Sequence, residues 1–163
     1  MAKITFSKDS DFALRLQELE KVFDDDSILE RAVAAGAKPV ADAIRANLAA
    51  LPTDRYRKLD PGETFSGLSK GQKEDLLNGF GLTPISNDRR GMINTHAGFD
   101  GYGSYPTKAY PKGVPNQLLA RATESGSSVR DKTPFVRPAV NKMRKQSLQE
   151  MEKSVEEDIE KII

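Results

Sequence analysis

The chain has 163 residues, a net charge of +1 and 30% charged side chains, which is long enough for one domain with a buried core and gives no overall field toward nucleic acid or membrane. It has no cysteine, no tryptophan and one histidine, His96, so disulfide scaffolds, thiolate zinc sites and cysteine nucleophiles are excluded, and the lone histidine cannot by itself make a metal site. No apolar run approaches the roughly 20 residues that span a bilayer. The start "MAKITFSKDSDF" lacks the apolar core of a signal peptide, so a soluble protein that stays where it is made is expected.

Charge is unevenly distributed. Up to Glu30 the acids Asp9, Asp11, Glu18, Glu20, Asp24, Asp25 and Asp26 outnumber the bases Lys3, Lys8, Arg15 and Lys21. From Arg121 to Lys145 the balance reverses, with Arg130, Lys132, Arg137, Lys142, Arg144 and Lys145 facing only Glu124 and Asp131.

Phe12, Leu16, Leu19 and Phe23 share one face of a first helix predicted over about 10–24. The run "DDDSILERA" ends it and starts another. Ser27 and Glu30 have the form of a capping box, and the aspartates suit the positive end of a helix dipole. Leu29, Val33, Ala37, Val40, Ile44, Leu48 and Leu51 form the apolar stripe of this second helix, with a kink expected at Pro39. The polar stretch over about 52–73, broken by glycine and proline, reads as a mobile, exposed excursion closed by the short helix of "SKGQKEDLLNGFG".

"GLTPIS" and "GMINTHAGF", separated by "NDRR", predict an antiparallel hairpin, with Pro84 arguing for an edge and His96 structural or solvent-facing. Tyr102, Tyr105 and Tyr110 then fall in a glycine- and proline-rich loop, either packed on the parent domain or offered as a contact surface. "PNQLLARATESG" predicts a helix with Pro115 at its start and Gly126 past its end. The strap "KTPFVRPAVNKM" carries Pro134 and Pro138, each of which biases its preceding residue to extended backbone, so the last helix is expected to begin near Pro138. Phe135 is expected as the strap's buried anchor, and Arg137 as the partner of a carboxylate such as Glu124.

Val140, Met143, Ser147, Leu148, Met151, Val155, Ile159 and Ile162 give the last helix a core-facing stripe. Its bases come early and its acids, Glu156, Glu157, Asp158 and Glu160, come late, which opposes the helix dipole. The fold class expected is α+β, a small antiparallel β-sheet flanked by a long N-terminal helix and a long C-terminal helix, in a single domain over 1–163. No phosphate-cradling glycine loop, zinc-helix motif or triad occurs, and the Asp24–Asp26 run lacks the glycine and closing glutamate of a calcium loop. No catalytic, cofactor-binding or metal-binding residue is expected.

"LLARATESGSSVRDKTPFVRPAVNKM" resembles the signature of the tailed-bacteriophage minor tail component, or tail-completion, family of the virion neck. Glu124, Gly126 and Ser127 match its first part, and Pro134, Phe135, Val136, Arg137 and Ala139 its second. "AVAAGAKPVADAIRAN", "GLSKGQKEDLLNGFGLTPI", "NTHAGFDGY" and "YPKGVPNQLLAR" are similar, in that order, to the branch from phages of Gram-positive hosts, whereas Ser125 stands where many relatives carry an aromatic. The resemblance implies a structural protein without chemistry, made in the host cytoplasm and located in the virion neck. There it would form a ring, expected as a hexamer, that completes the tail and joins it to the head beside other neck proteins and the tail tube or terminator. Passing DNA would be touched non-specifically and no membrane is implied. A second function consistent with the residues is nucleic-acid binding through the basic 121–145 tract and its nearby tyrosines. The candidate structural or interface residues are Glu124, Gly126, Ser127, Pro134, Phe135, Arg137, Tyr102, Tyr105, Tyr110, Lys142, Arg144 and Lys145.

Overall fold

The computed structural model describes residues 26–161, so the helix predicted over about 10–24 and Ile162 lie outside the described residues. Helix α1 (Asp26–Ala50) runs through Pro39, which has no N–H to give the carbonyl of Ala35, and stops ahead of Pro52. Ser27 already lies inside α1, where Arg31 Nη1 donates to its Oγ at 3.1 Å, so the helix does not begin at the expected capping box.

Helix α2 (Lys70–Gly79) does begin at a capping box. Gln72 N donates to Ser69 Oγ at 3.2 Å while Ser69 N donates to Gln72 Oε1 at 3.1 Å. The predicted hairpin follows, in two ladders. β1 (Phe80–Leu82) pairs antiparallel with β4 (Ala97–Phe99), and β2 (Ser86–Asn87) pairs with β3 (Ile93–Asn94). Between the ladders Thr83 N still donates to His96 O at 2.8 Å, so the break at Pro84 interrupts one hairpin without separating it. Asp88 makes the turn, its Oδ1 accepting from Arg90 N and Met92 N. His96 is exposed, as expected.

Helix α3 (Asn116–Ser125) ends at Gly126, whose φ of +80° suits a residue without a Cβ. Helix α4 (Val136–Glu160) begins two residues before Pro138, so the proline sits inside its first turn. The architecture is α+β, with the short antiparallel ladders flanked by the two 25-residue helices. No described helix is long and apolar enough to cross a membrane.

α1 and α4 pack antiparallel. Arg31 meets Asp158 at one end, Ser147 Oγ donates to Gly36 O at 2.7 Å midway, and Asn47 Nδ2 donates to Phe135 O at 3.0 Å at the other. The close approach falls on small residues, and this corrects the predicted stripe in the first half of α1. Ile28, Ala32 and Gly36 are buried there, while Leu29, one position on, is 41% exposed. Both stripes have helical spacing; the small one is chosen because only it lets Met151 and Ser147 approach the backbone.

The core joins Ile44 and Leu48 of α1, Leu76 of α2, the hairpin aromatics Phe80 and Phe99, Leu119 and Ala120 of α3, and Phe135 with Ala139 at the start of α4. Phe80 and Phe99, cross-strand partners, have ring centroids 5.1 Å apart.

The stretch over 52–73, expected as an exposed excursion, is attached along its second half. Phe65 and Leu68 are buried, and Leu68 forms a two-way backbone pairing with Pro52 and Asp54. Phe65 N donates to Val129 O and Asp131 N to Phe65 O, both at 2.9 Å, stitching the stretch to the turn after α3. The polarity seen in sequence belongs to residues 55–63, which stay mostly exposed; the apolar Phe65 and Leu68 are what fix the rest.

A Cβ built on Gly36 would lie 2.8 Å from Met151 Sδ and 3.1 Å from Ser147 O. Gly36→Val is therefore expected to lower stability by about 1–3 kcal/mol through overpacking at the α1–α4 crossing, measured by urea denaturation.

Candidate functional site

The strap before α4 is where the sequence concentrates its unusual residues, and one carboxylate organises it. Glu124, in the last turn of α3, reaches the opening of α4. Its Oε2 accepts from Phe135 N at 2.7 Å and Val136 N at 2.9 Å, and its Oε1 accepts from Arg137 N at 2.9 Å. The next residue is Pro138, which has no N–H. The amides that a helix leaves unpaired at its first turn are thus all accounted for by a side chain from another helix and one proline.

Glu124 is the acid expected to serve Arg137, but the pairing differs. The backbone N–H of Arg137 makes the hydrogen bond, and its exposed guanidinium forms no ion pair among the described residues. Partial burial raises the Glu124 pKa, and the three backbone N–H groups with the Arg137 charge outweigh that, leaving it below the ordinary carboxylate value.

Phe135 is fully buried, its ring edge-on to Phe99 at 5.9 Å, so it is the anchor the sequence suggested. Thr133 N and Oγ1 both donate to Thr123 O, holding the strap along α3, while Pro134 is exposed. Gly126 and Ser127 begin a tight turn in which Ser127 and Arg130 exchange backbone hydrogen bonds.

That turn points Arg130 inward. Although Arg130 belongs to the basic tract, it is 5% exposed: Nη1 donates to Gly67 O, Nη2 donates to Gln72 Oε1 at 3.2 Å, and its guanidinium lies 5.2 Å from the Phe65 ring centroid. Desolvation lowers its pKa while the Asp54 charge opposes the shift, and from so high a starting value the group stays cationic. Phe65 stacks on Tyr56, and Tyr56 stacks on Tyr105 at 4.7 Å. Tyr105 is thus packed on its own domain. Tyr102 and Tyr110, 61% and 38% exposed, remain at the surface.

The other bases of the tract, Arg121, Lys132, Lys142, Arg144 and Lys145, are exposed and form no ion pair among the described residues. The late acids of α4 are different. Asp158 is buried between Lys161 Nζ at 2.9 Å and Arg31 Nε at 2.8 Å, which lower its pKa, and Glu157 lies 3.7 Å from Lys153. The structure therefore brings Glu124, Phe135 and Arg137 together at one helix start, places Tyr105 with Arg130 in a separate stack, and leaves a basic surface on early α4.

Two residues of this region carry structural weight that sequence reasoning missed. Arg130 was counted as surface charge, and Asn116 was read only as part of a helix. Asn116 Nδ2 donates to Asp75 O at 3.2 Å and Asp100 O at 2.7 Å, joining α2 to the end of β4. The available signal was its place immediately after Pro115 at a helix start; nothing local marked Arg130. Among the described residues no group of three or more His, Asp or Glu side chains is placed to hold a metal ion.

Phe135→Ala is expected to cost about 3–5 kcal/mol of stability, read from the urea midpoint of the purified protein. Glu124→Gln is expected to cost about 1–2 kcal/mol at pH 7 through the lost charged cap. Because folding lowers the Glu124 pKa, its contribution is complete above the unfolded value of about 4.3 and disappears as pH falls through the folded one. The stability gap between wild type and Glu124→Gln should therefore narrow in urea titrations from pH 6 to pH 3, and a gap constant over that range would refute the cap. No protein-family model, no curated protein and no solved structure matches the chain.

Proposed function

We propose that the chain is a structural subunit of a tailed-phage neck, forming a ring that completes the tail and joins it to the head. One observation carries the reading: the residues of the resemblance, Glu124, Gly126, Pro134, Phe135, Arg137 and Ala139, are the ones that build the α3–α4 junction. Members that cap, turn and anchor a helix pair do structural work, which supports a structural reading of the motif. The α+β architecture with long flanking helices agrees with the one the resemblance implies.

A closed ring with head-to-tail contacts needs two different complementary faces on each subunit. Early α4 offers one, since Lys142, Arg144 and Lys145 are exposed and without ion-pair partners among the described residues. The acidic N-terminal stretch of a neighbour supplies charge of the opposite sign. The same exposed bases favour the second reading, nucleic-acid binding, which differs in its salt dependence and in needing no ring.

Deleting the gene from the phage or prophage that carries it should leave filled heads apart from tails, or tails with abnormal ends, in electron micrographs of the lysate. Normal infectious particles would overturn the neck reading. The triple reversal Lys142→Glu, Arg144→Glu and Lys145→Glu should leave the subunit folded by circular dichroism and abolish complementation of the deletion. Unchanged complementation would remove early α4 as a ring face. Micromolar duplex binding lost on this reversal, with complementation intact, would favour the nucleic-acid reading instead.

A further inference from the structure

The ladder of β1 and β4 leaves one edge open. Asp100 N donates to Gly79 O and Thr83 N to His96 O, both at 2.8 Å, which makes Gly81 and Gly98, between them, the mutually hydrogen-bonded pair. The N–H and C=O groups of Ala97 and Phe99 therefore point away from β1, and no hydrogen bond among the described residues uses them. At the opposite edge Arg45 Nη2 donates to Phe80 O at 3.2 Å, so β1 is partly covered where β4 is not.

The open edge lines a slot of about 710 Å³ between β4, α3 and the start of α4. Ala97, Gly98 and Phe99 form one wall, with Gln117 and Arg121 of α3 and Arg137 of α4 across from them. Val136 and Val140 add apolar surface. Arg121 and Arg137 are exposed and have no ion-pair partner among the described residues. Glu124, the one carboxylate lining the slot, is committed to three backbone amides.

We infer that the slot takes an extended, acidic peptide segment of a partner protein, which pairs with β4 as an added strand and sets its carboxylates on Arg121 and Arg137. Alternating donors and acceptors along Ala97 and Phe99 match a peptide backbone, which carries both, whereas a phosphate backbone offers acceptors alone. His96 to Phe99 spans roughly 13 Å at about 3.3 Å per residue, enough to pair about four residues. The two guanidiniums select carboxylates by charge and by their forked donors. Gly81 and Gly98 agree with this use: neither has a positive φ, and a Cβ on either would meet nothing within 4 Å, so the fold itself does not require glycine there. A chain lying close against the ladder does. The inference stands apart from the neck reading, whose proposed ring face uses Lys142, Arg144 and Lys145.

The probe is an end-blocked peptide of alternating glutamate and valine, eight residues long, added to the full-length protein. It should bind roughly tenfold tighter than its lysine–valine counterpart and slow hydrogen exchange at the Ala97 and Phe99 amides, followed by nuclear magnetic resonance. Arg121→Gln with Arg137→Gln should erase the preference for the acidic peptide. Of two further probes, methylated on the glutamate or on the valine nitrogens, at least one should bind tenfold or more weaker, because one edge of the peptide carries the pairing. Equal affinity for the acidic and basic peptides, undiminished binding of both methylated forms, or no binding at millimolar peptide would each overturn the inference. Self-association of the protein that is lost in the double arginine variant, without peptide binding, would overturn it and give the slot to a second copy. Tighter binding of single-stranded oligothymidylate than of the acidic peptide, lost in the same variant, would overturn it in favour of nucleic acid.

Discussion

The contact between Glu124 and the first turn of α4 is the constraint on which the rest of the molecule depends. Before it, the chain has built α3, the hairpin and α2; after it comes the 25-residue helix that closes the core. Three backbone amides converge on one carboxylate, and Pro138 removes the need for another acceptor, so α4 can start in a confined place without a local capping side chain. The carboxylate thereby fixes where the helix starts, and the start fixes Phe135 in the core against Phe99 and Ala139 beneath it. Two prolines around a phenylalanine and an arginine make physical sense on this basis. Pro134 keeps the strap extended along α3, and Pro138 occupies a helical position where its missing donor costs nothing.

A second linkage holds the polar half of the chain. Arg130 is buried without a carboxylate within ion-pair distance, and its donors are taken by a carbonyl and an amide oxygen while its face lies against Phe65. That arrangement suits a guanidinium, which is more weakly hydrated than an ammonium and stacks on aromatic faces. It ties three segments distant in sequence: the stretch over 52–69, the start of α2 through Gln72, and the turn after α3. Tyr56 and Tyr105 extend the same stack to the tyrosine loop. Asp54 completes the clasp by accepting from Ser66 N at 2.9 Å, and that backbone donor is the chief cause of its lowered pKa.

Local rules made the elements readable. Proline at Pro52, glycine at Gly126 and the turn at Asp88 mark boundaries that the backbone obeys, although Asn87, read with that turn, pairs as the last residue of β2; the antiparallel hairpin follows from its alternation and its turn. Phe135 was legible as an anchor because a large apolar residue between prolines has few other uses. The side of α1 that faces α4 was not, because two adjacent stripes satisfy the same period and the choice rests on how closely Ser147 and Met151 approach Gly36. The role of Glu124 was half legible: its partner region was right and its partner atoms were wrong, since backbone amides leave no mark in a sequence. Arg130 was illegible for a related reason. Its burial depends on Phe65 and Gln72, some sixty positions away, and a composition count treats it as one more surface base.

The charge order along α4 takes its meaning from these contacts. Bases early and acids late oppose the helix dipole, so the order is not a local optimum. At the late end the conflict is resolved internally, because α1 presents Arg31 to Asp158 and Lys161 adds a second cation. At the early end the dipole meets Glu124 on the backbone side, and that carboxylate is already shared among three amides. Lys142, Arg144 and Lys145 therefore find no compensating carboxylate among the described residues. Exposed cations without ion-pair partners among the described residues contribute little to the chain's own stability, where exposed charges are worth tenths of a kcal/mol. Such cations would matter more to a partner of opposite charge, if the proposed ring forms, because a complementary field acts before contact and penalises wrong registers.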